Sequence, residues 1–108
     1  MQNSSFNIIK NKIVEALKPI NANKIILFGS YAYGKPTYDS DLDLCIVQDN
    51  FLNKYQEKAK IRELLKGINL PKDILLTKND EYEFYKNEIN SVYNDIENKG
   101  EVLWEQNS

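Results

Sequence analysis

The sequence predicts an α/β fold built as one unit, and three observations predict it. Apolar residues near the N-terminus recur every three to four positions, as they do on an amphipathic helix. Two short apolar runs rich in β-formers follow, separated by turn-forming residues. Helical and strand-like stretches then alternate, with no repeat, low-complexity tract or linker between them. We therefore expect a single domain over residues 1–108.

The first half of the chain predicts one helix and two strands. The helix is expected to begin at a serine N-cap, Ser4 or Ser5, and to end before Pro19. The segments KIILFGS (24–30) and DLDLCIV (41–47) are expected to be strands. Between them, YAYGKPTYDS offers one turn of helix at YAY and then turn chemistry, so the strands can lie side by side. The apolar face of the helix consists of Phe6, Ile9, Ile13 and Leu17.

The second half predicts a helix, a strand and two further helical segments. The first helix is expected to end near Gly67, and NLPKDILLT is expected to form a strand with Asp73 near its start. Asp80 and Glu83 resemble a capping pair that opens a polar-aromatic helical region. The last helix ends near Gly100, and the tail EVLWEQ is too short to assign. The apolar positions of the two longer helices are Leu52, Tyr55, Ala59, Leu64, Leu65 and Ile68, and then Ile89, Val92, Tyr93 and Ile96.

The composition excludes several classes of protein. Apolar residues make up 42% and charged residues 28% of the chain, which is ordinary for a globular domain and argues against wholesale disorder. The net charge of −2 gives little attraction for a phosphate backbone, so we expect no direct nucleic-acid binding. Four lysines precede the Gly-Ser turn, and we interpret them as a solvated helix face in preference to a basic patch. They are Lys10, Lys12, Lys18 and Lys24.

The single cysteine, Cys45, excludes an intrachain disulfide, and nothing marks an oxidising compartment. It lies between Leu44 and Ile46 and the chain has no histidine, so we expect a buried thiol that is not a nucleophile. The N-terminus lacks the apolar stretch of a signal peptide, and no run approaches the roughly 18 apolar residues of a membrane span. We expect a cytoplasmic protein with no membrane contact.

Two carboxylates are expected to converge on the second strand. Side chains alternate along a strand, so Asp41 and Asp43 lie on one side, with their Cα atoms roughly 7 Å apart. Magnesium prefers oxygen ligands and usually accepts one or two protein carboxylates, leaving positions for phosphates and water. The alternative is that both aspartates decorate the solvated face of an antiparallel strand, and the spacing alone favours that alternative.

The Gly-Ser turn and a third carboxylate favour a magnesium site over two solvated strand aspartates. Gly29 lets the backbone approach a ligand closely, and free amides beside Ser30 suit a phosphate, although the pair is also a common way to end a strand. If the third strand lies beside the second, Asp73 completes a cluster suited to two metals and an in-line displacement. Otherwise Asp73 is a solvent-exposed strand residue. Asp39 is better explained by turn preference.

Taken together, Gly29-Ser30, ten intervening residues and Asp41-Leu42-Asp43 resemble the G-S-x10-D-x-D signature of the nucleotidyltransferase superfamily related to DNA polymerase β. The resemblance is closest to the minimal nucleotidyltransferases (MNT) of prokaryotes, and it extends from the first helix to Trp104. It implies a small mixed β-sheet flanked by helices, ATP bound with two Mg²⁺ ions, and transfer of a nucleoside monophosphate with release of pyrophosphate.

The resemblance also implies a role for each matching residue. Asp41 and Asp43 would hold both metals, and Asp73 would hold the catalytic metal and assist deprotonation of the acceptor hydroxyl. Gly29 and Ser30 would hold the triphosphate. Lys35 and Ser40, which lie between the Gly-Ser pair and Asp41, are also expected to contact the nucleotide.

This chain departs from the pattern just after Gly-Ser, where many relatives carry an arginine. Here the positions are Tyr31, Ala32 and Tyr33, and the nearest cation is Lys35. Stacking of Tyr31 or Tyr33 on a base is one role for these residues, but core packing or a surface position is favoured for each.

The resemblance implies an acceptor that is a protein partner. Larger relatives carry extra acceptor-binding domains, so here that surface is expected to come from a partner or a second copy, as a hetero-oligomer or a homodimer. Minimal relatives pair with HEPN-type toxins, whose tyrosine they adenylylate, so we expect an antitoxin of this kind. The alternatives are an antitoxin that acts by binding alone and a transferase for a small molecule such as an aminoglycoside. The stretch Tyr82 to Tyr93 is a candidate partner surface, although a plain amphipathic helix is favoured.

Overall fold

The computed structural model describes residues 4–34, 36–37 and 39–106, without the side chains of residues 4 and 5. Within these ranges the chain forms a four-stranded mixed sheet and five α-helices, so the predicted α/β architecture is confirmed. None of the described helices has the length and apolar character needed to cross a membrane. In chain order the elements are α1 Ser4–Ala16, a 3₁₀ turn Lys18–Ile20, β1 Lys24–Phe28, α2 Ser30–Tyr33, β2 Leu42–Val47, α3 Lys54–Leu64, β3 Lys72–Thr77, α4 Asn79–Tyr85, α5 Val92–Lys99 and β4 Glu101–Glu105.

The order of the strands, β3-β2-β1-β4, brings three strand ends together. β1 runs antiparallel to β2, with Phe28 opposite Asp43. β2 runs parallel to β3, with Asp43 opposite Asp73. The C-terminal end of β1 therefore meets the N-terminal ends of β2 and β3 at one end of the sheet. The third strand therefore lies beside the second, which is the condition under which Asp73 joins the other two aspartates.

Each face of the sheet packs against a different set of helices. The larger core cluster joins α1 and α3 to one face, and includes Ile13, Leu44 and Ile61. The smaller cluster joins α4 and α5 to the other face, and includes Cys45 and Tyr82. Cys45 is fully buried, as predicted, and burial raises the pKa of its thiol to about 12. Because side chains alternate along a strand, Asp43 lies on the α4–α5 face together with Cys45.

The first helix is close to the prediction. Ile13 and Leu17 are buried, while Phe6 and Ile9 pack against the same cluster from its margin. The helix already includes the backbone of residue 4, and the capping role expected for Ser4 or Ser5 falls on side chains outside the described part of the chain.

The predicted apolar face of α3 is partly wrong. Leu52, Tyr55 and Ala59 are exposed, whereas Ile61 and Leu65 are buried. The N-cap explains the error. The Asn53 side chain accepts a hydrogen bond from the Gln56 amide at 2.9 Å and starts the helix after Leu52, with a phase that turns Tyr55 and Ala59 to solvent.

The predicted Asp80–Glu83 capping pair is also wrong. The first amide of α4, that of Asn79, donates to the Asp49 carboxylate at 2.9 Å, so the cap comes from the loop after β2. Asp80 lies inside the first turn, and Glu83 forms an ion pair with Lys86 at 2.8 Å. A cap supplied from thirty residues away leaves no local sequence signal.

The last helix ends at Gly100 as predicted, but it begins later than expected. Ser91 is its N-cap and accepts a hydrogen bond from the Asn94 amide at 3.0 Å. Ile89 therefore precedes the helix and is 82% exposed. The unassigned tail forms β4 against β1, where the Trp104 indole N–H donates to the carbonyl of Ala22 at 3.2 Å.

The four lysines before the Gly-Ser turn divide into two pairs. Lys12 and Lys18 are exposed, as expected for a solvated face. Lys10 and Lys24 are largely covered instead, and each forms an ion pair with a glutamate of β4, at 2.9 and 3.6 Å between nitrogen and oxygen. The interpretation is wrong for these two because it did not include the strand that supplies their partners.

Candidate active site

The Gly-Ser turn leaves β1 through a backbone conformation that only glycine adopts readily. Gly29 has φ +74° and ψ −157°, and a β-carbon built on it would collide with the Asp43 carboxylate. Its carbonyl accepts hydrogen bonds from the amides of Ala32 and Tyr33, both at 3.0 Å, which starts the predicted single turn of helix, α2. The missing side chain therefore lets the turn lie against the second strand.

The turn presents backbone donors at the end of the sheet. A helix leaves its first amides without partners inside the helix, and in α2 these are the amides of Ser30 and Tyr31. The turn closes at Gly34, whose φ of +80° is left-handed and whose amide donates to the Ser30 carbonyl. Ser30 is thus the first residue of α2, next to the strand that carries the two predicted carboxylates.

Three aspartates meet at this end of the sheet. Asp41 is exposed and immediately precedes β2, while Asp43 is half-buried within the strand. Asp73 is exposed on the neighbouring parallel strand, directly opposite Asp43 in register. Neighbouring strands lie about 4.8 Å apart, so the backbones that carry these carboxylates are adjacent.

A further backbone contact places the third aspartate. The amide of Leu42 donates to the carbonyl of Pro71 at 2.8 Å, which extends the pairing of the two strands beyond the start of β3. Sequence reasoning did not identify this contact. The signal was present, because proline is tolerated at the start of a strand, where its missing N–H is not needed by the ladder.

Burial and the two neighbouring carboxylates act on the central one, Asp43. Burial raises the pKa of Asp43 above its ordinary value, and the negative charges of Asp73 and then Asp41 raise it further. None of the ion pairs among the described residues involves these three aspartates. A cluster of like charges with this effect on its central member is a favourable environment for a cation.

The side chains do not already form a three-ligand site. In the ranges that the structure describes, no group of three or more acidic, histidine or cysteine side chains is arranged to hold one metal ion. The donor chemistry still fits magnesium, which usually takes only one or two protein carboxylates and completes its shell with water and phosphate oxygens.

The other predicted site residues have different surroundings. The Ser40 hydroxyl accepts a hydrogen bond from the Thr37 amide at 2.7 Å and lies 3.2 Å from the Thr37 hydroxyl, so it holds the loop before β2. Asp39 is exposed in a turn, as its turn preference suggested. Lys35 lies outside the described residues.

The two tyrosines after the Gly-Ser pair follow the favoured interpretations. The Tyr31 ring stacks on Phe6 with centroids 5.1 Å apart and packs against the larger core cluster. Tyr33 is 46% exposed. Core packing for Tyr31 and a surface position for Tyr33 are thus confirmed.

No curated protein matches the chain, but several solved structures share its fold. One is described as a toxin–antitoxin with AMP-PNP; it is 21% identical with a TM-score of 0.66, over 90% of this chain and 73% of that one. Another is a tri-AMPylated Shewanella oneidensis HEPN toxin in complex with MNT antitoxin, 18% identical with a TM-score of 0.60, over 93% and 72%. A third is the toxin–antitoxin MntA–HepT, 17% identical with a TM-score of 0.60, over 93% and 73%.

A family of known proteins also matches most of the sequence. The family is described as a nucleotidyltransferase domain, and the match covers residues 10–103. That range contains the Gly29 turn and all three aspartates, and the mixed sheet flanked by helices is the fold that the G-S-x10-D-x-D resemblance implied. The resemblance is confirmed, and the chain belongs to the nucleotidyltransferase domain family.

Proposed function

We propose that this chain transfers AMP from ATP to a tyrosine hydroxyl of a HEPN-type toxin and thereby acts as the antitoxin. The observation that carries the proposal is the meeting of Asp41, Asp43 and Asp73 beside the Gly29 turn at one end of the sheet. We propose further that residues 1–108 act as one domain, in a hetero-oligomer with the toxin.

The triphosphate is assigned to the Gly29-Ser30 turn. Its backbone amides are donors of the kind that bind phosphate oxygens, and the glycine allows close approach. One structural neighbour is described with AMP-PNP, an ATP analogue, which supports ATP as the substrate. The proposal includes Ser40 and Lys35 as further contacts, with Ser40 acting mainly through the loop that it holds.

Two magnesium ions are assigned to the aspartates. Asp41 and Asp43 would hold both, and Asp73 would complete the site of the catalytic ion. The raised pKa of Asp43 supports this assignment, because the cause includes two neighbouring negative charges that a cation would offset. Bound magnesium would neutralise charge on the triphosphate and stabilise the attacking and leaving oxygens of an in-line displacement.

The transfer itself exchanges one phosphorus–oxygen bond for another. The acceptor oxygen bonds to the α-phosphorus of ATP while the bond from that phosphorus to the bridging oxygen breaks, and pyrophosphate leaves. Asp73 accepts the proton that the hydroxyl loses. The turn at Gly29 holds the leaving phosphates in line with the acceptor.

A toxin tyrosine is the proposed acceptor because the structural neighbours are described as toxin–antitoxin complexes. They include a tri-AMPylated HEPN toxin bound to its MNT antitoxin, at an identity that establishes only a shared fold. Neutralisation by binding alone is the rival function, and the tyrosine at the position where many relatives carry arginine favours it. Transfer to a small molecule is a second rival and predicts turnover without a protein partner.

Labelled ATP separates these functions. Purified toxin is incubated with this chain, Mg²⁺ and ATP carrying label on either the α- or the γ-phosphate. The proposal predicts that only α-label reaches the toxin, with pyrophosphate released in equal amount, and that Asp41→Asn/Asp43→Asn abolishes the transfer. Transfer of γ-label would identify a kinase. Pyrophosphate release that needs a small-molecule acceptor and no toxin would favour the second rival.

A further inference from the structure

The segment from α4 to α5 carries apolar side chains that the fold does not bury. Phe84 and Ile89 are 65% and 82% exposed, and Tyr85 and Val92 are 42% and 48% exposed. The rings of Phe84 and Tyr85 are in contact edge to face, with centroids 4.8 Å apart. These four residues are called the apolar patch below. Exposed apolar residues grouped in this way are typical of an interaction site.

The patch is held in shape by its own connection. The Ser91 hydroxyl donates to the Tyr85 carbonyl at 2.7 Å, and the Asn94 side chain donates to the Lys86 carbonyl at 2.8 Å. Asn90 adopts φ +80°, a left-handed conformation that asparagine tolerates better than most residues. Ile89 is therefore presented by an ordered turn, which lowers the entropy lost when a partner binds.

Acidic residues surround the patch. Asp80 lies one helical turn before Phe84, Asp95 lies nearly one turn after Val92, and Glu88 is next to Ile89. Residues 79–99, from the start of α4 to the end of α5, contain six acidic side chains and two lysines, a net charge of −4, whereas the whole chain carries −2. This segment is thus more acidic than the chain as a whole.

The patch also lies on the face of the sheet that carries the aspartates. α4 and α5 cover the same face as Asp43, because Tyr82 and Ile96 pack with Cys45, which is two residues from Asp43 on β2. Asp73 lies near the N-terminal end of β3 and α4 follows the C-terminal end, so β3 separates the start of α4 from the aspartates along the sheet. A partner bound to the patch would therefore lie on the same face of the sheet as Asp43, and it would extend along that face to reach the three carboxylates.

We propose that the apolar patch and its acidic rim form the docking surface for the protein that is adenylylated, and that this partner presents apolar side chains surrounded by lysine and arginine. The inference rests on the proposed function. A symmetric pair of copies of this chain is a poor occupant, because a two-fold axis would bring two acidic rims together.

The test measures binding of the cognate HEPN-type toxin by calorimetry, with Asp41→Asn/Asp43→Asn in every sample so that no transfer occurs. Phe84→Ser/Ile89→Ser is expected to raise Kd at least tenfold. The matched control, Leu52→Ser/Tyr55→Ser, changes one side chain just before α3 and one in its first turn, 106% and 84% exposed, and should leave Kd unchanged. Asp80→Lys/Glu88→Lys should raise Kd and reduce its dependence on salt.

The outcomes separate this inference from the proposed function. Unchanged Kd in both patch variants would overturn the docking surface, whether or not AMP transfer occurs. The patch variants could bind the toxin more weakly while the active chain fails to adenylylate that toxin. This result would support the docking surface and overturn the proposed AMP transfer. A chain that does not bind the toxin at all would overturn both. A symmetric dimer of this chain that the patch variants break would overturn the docking surface alone.

Discussion

Gly29 faces the carboxylate of Asp43 with no room for a side chain between them. A β-carbon at Gly29 would lie 3.0 Å from Cγ and 3.3 Å from Cβ of Asp43, and closer still to one carboxylate oxygen. The phosphate-binding turn and the metal-binding strand of the proposed site therefore touch each other. The same contact explains why the turn needs glycine on steric as well as conformational grounds.

We predict that Gly29→Ala lowers both stability and activity. The new methyl group must displace Asp43 and adopt a conformation that side chains rarely take, at a cost of about 1–3 kcal/mol. A displacement of about 1 Å at the carboxylate is expected to reduce transfer roughly a hundredfold.

Gly34→Ala is the matched control for that prediction. Gly34 also has a positive φ, +80°, but nothing lies within 4 Å of a β-carbon built there. Chemical denaturation and transfer rate should show a stability loss of about 1 kcal/mol in Gly34→Ala with most of the activity kept. Equal loss of activity in the two variants would mean that contact with Asp43 is not what matters.

A second prediction concerns the charge on Asp43. Its pKa is raised in the folded protein, so the folded state holds the proton more tightly than the unfolded state, whose value is near 3.8. The free energy of unfolding therefore falls as pH rises from about 4 through the folded pKa, and the penalty persists at pH 7. Asp43→Asn removes it and should be more stable than the wild type by about 0.5 kcal/mol, after allowance for solvent screening.

Thermal unfolding between pH 4 and pH 7 in EDTA checks this. The difference in Tm between Asp43→Asn and the wild type should grow with pH and reach roughly 2–4 °C. Asp39→Asn, in the exposed turn two residues from Asp41, is the control and should show no such growth. If Asp43→Asn loses stability with rising pH faster than the wild type, repulsion among the three carboxylates is not what destabilises the folded state.

A third prediction follows for magnesium. If Asp41 and Asp43 hold the ion, Mg²⁺ at ten times its Kd should stabilise the wild type by about 1.4 kcal/mol without any nucleotide. Asp41→Asn/Asp43→Asn should lose this effect, while Asp39→Asn keeps it. Thermal unfolding with and without Mg²⁺ is the measurement, and equal stabilisation of all three proteins would place the ion elsewhere.

The buried face of α3 gives a fourth prediction. Ile61 is fully buried and Leu52, just before the helix, is fully exposed, although the sequence assigned Leu52 to the apolar face. Ile61→Ala should cost about 2–4 kcal/mol because it leaves a cavity against the sheet, and Leu52→Ala should change stability by less than about 0.5 kcal/mol. Urea denaturation of the two variants decides between the predicted and the observed face.

The sequence was informative where the signal is local. The alternating apolar pattern identified the strand that carries Asp43, and Gly29 marked the end of β1, because both signals follow from the conformations of neighbouring residues. Contacts between distant segments were missed. The cap of α4 comes from Asp49, thirty residues upstream.

The last strand shows the same limit. β4 is only five residues long, and it pairs with β1 although the two lie far apart in the chain. Its identity as a strand depends on that pairing and on partners such as Lys10, whose ion pair with Glu101 also went unpredicted. Short edge strands carry too little pattern for a local reading.

The intact mass of the toxin shows whether this chain adenylylates it. Toxin is incubated with this chain, ATP and Mg²⁺, in parallel with Asp41→Asn/Asp43→Asn, and its tyrosines are examined by fragmentation. If Asp41 and Asp43 support AMP transfer, the toxin gains whole AMP units on tyrosine with the unmodified chain alone. No gain in mass, together with neutralisation of the toxin by both versions, would contradict AMP transfer and leave an antitoxin that acts by binding.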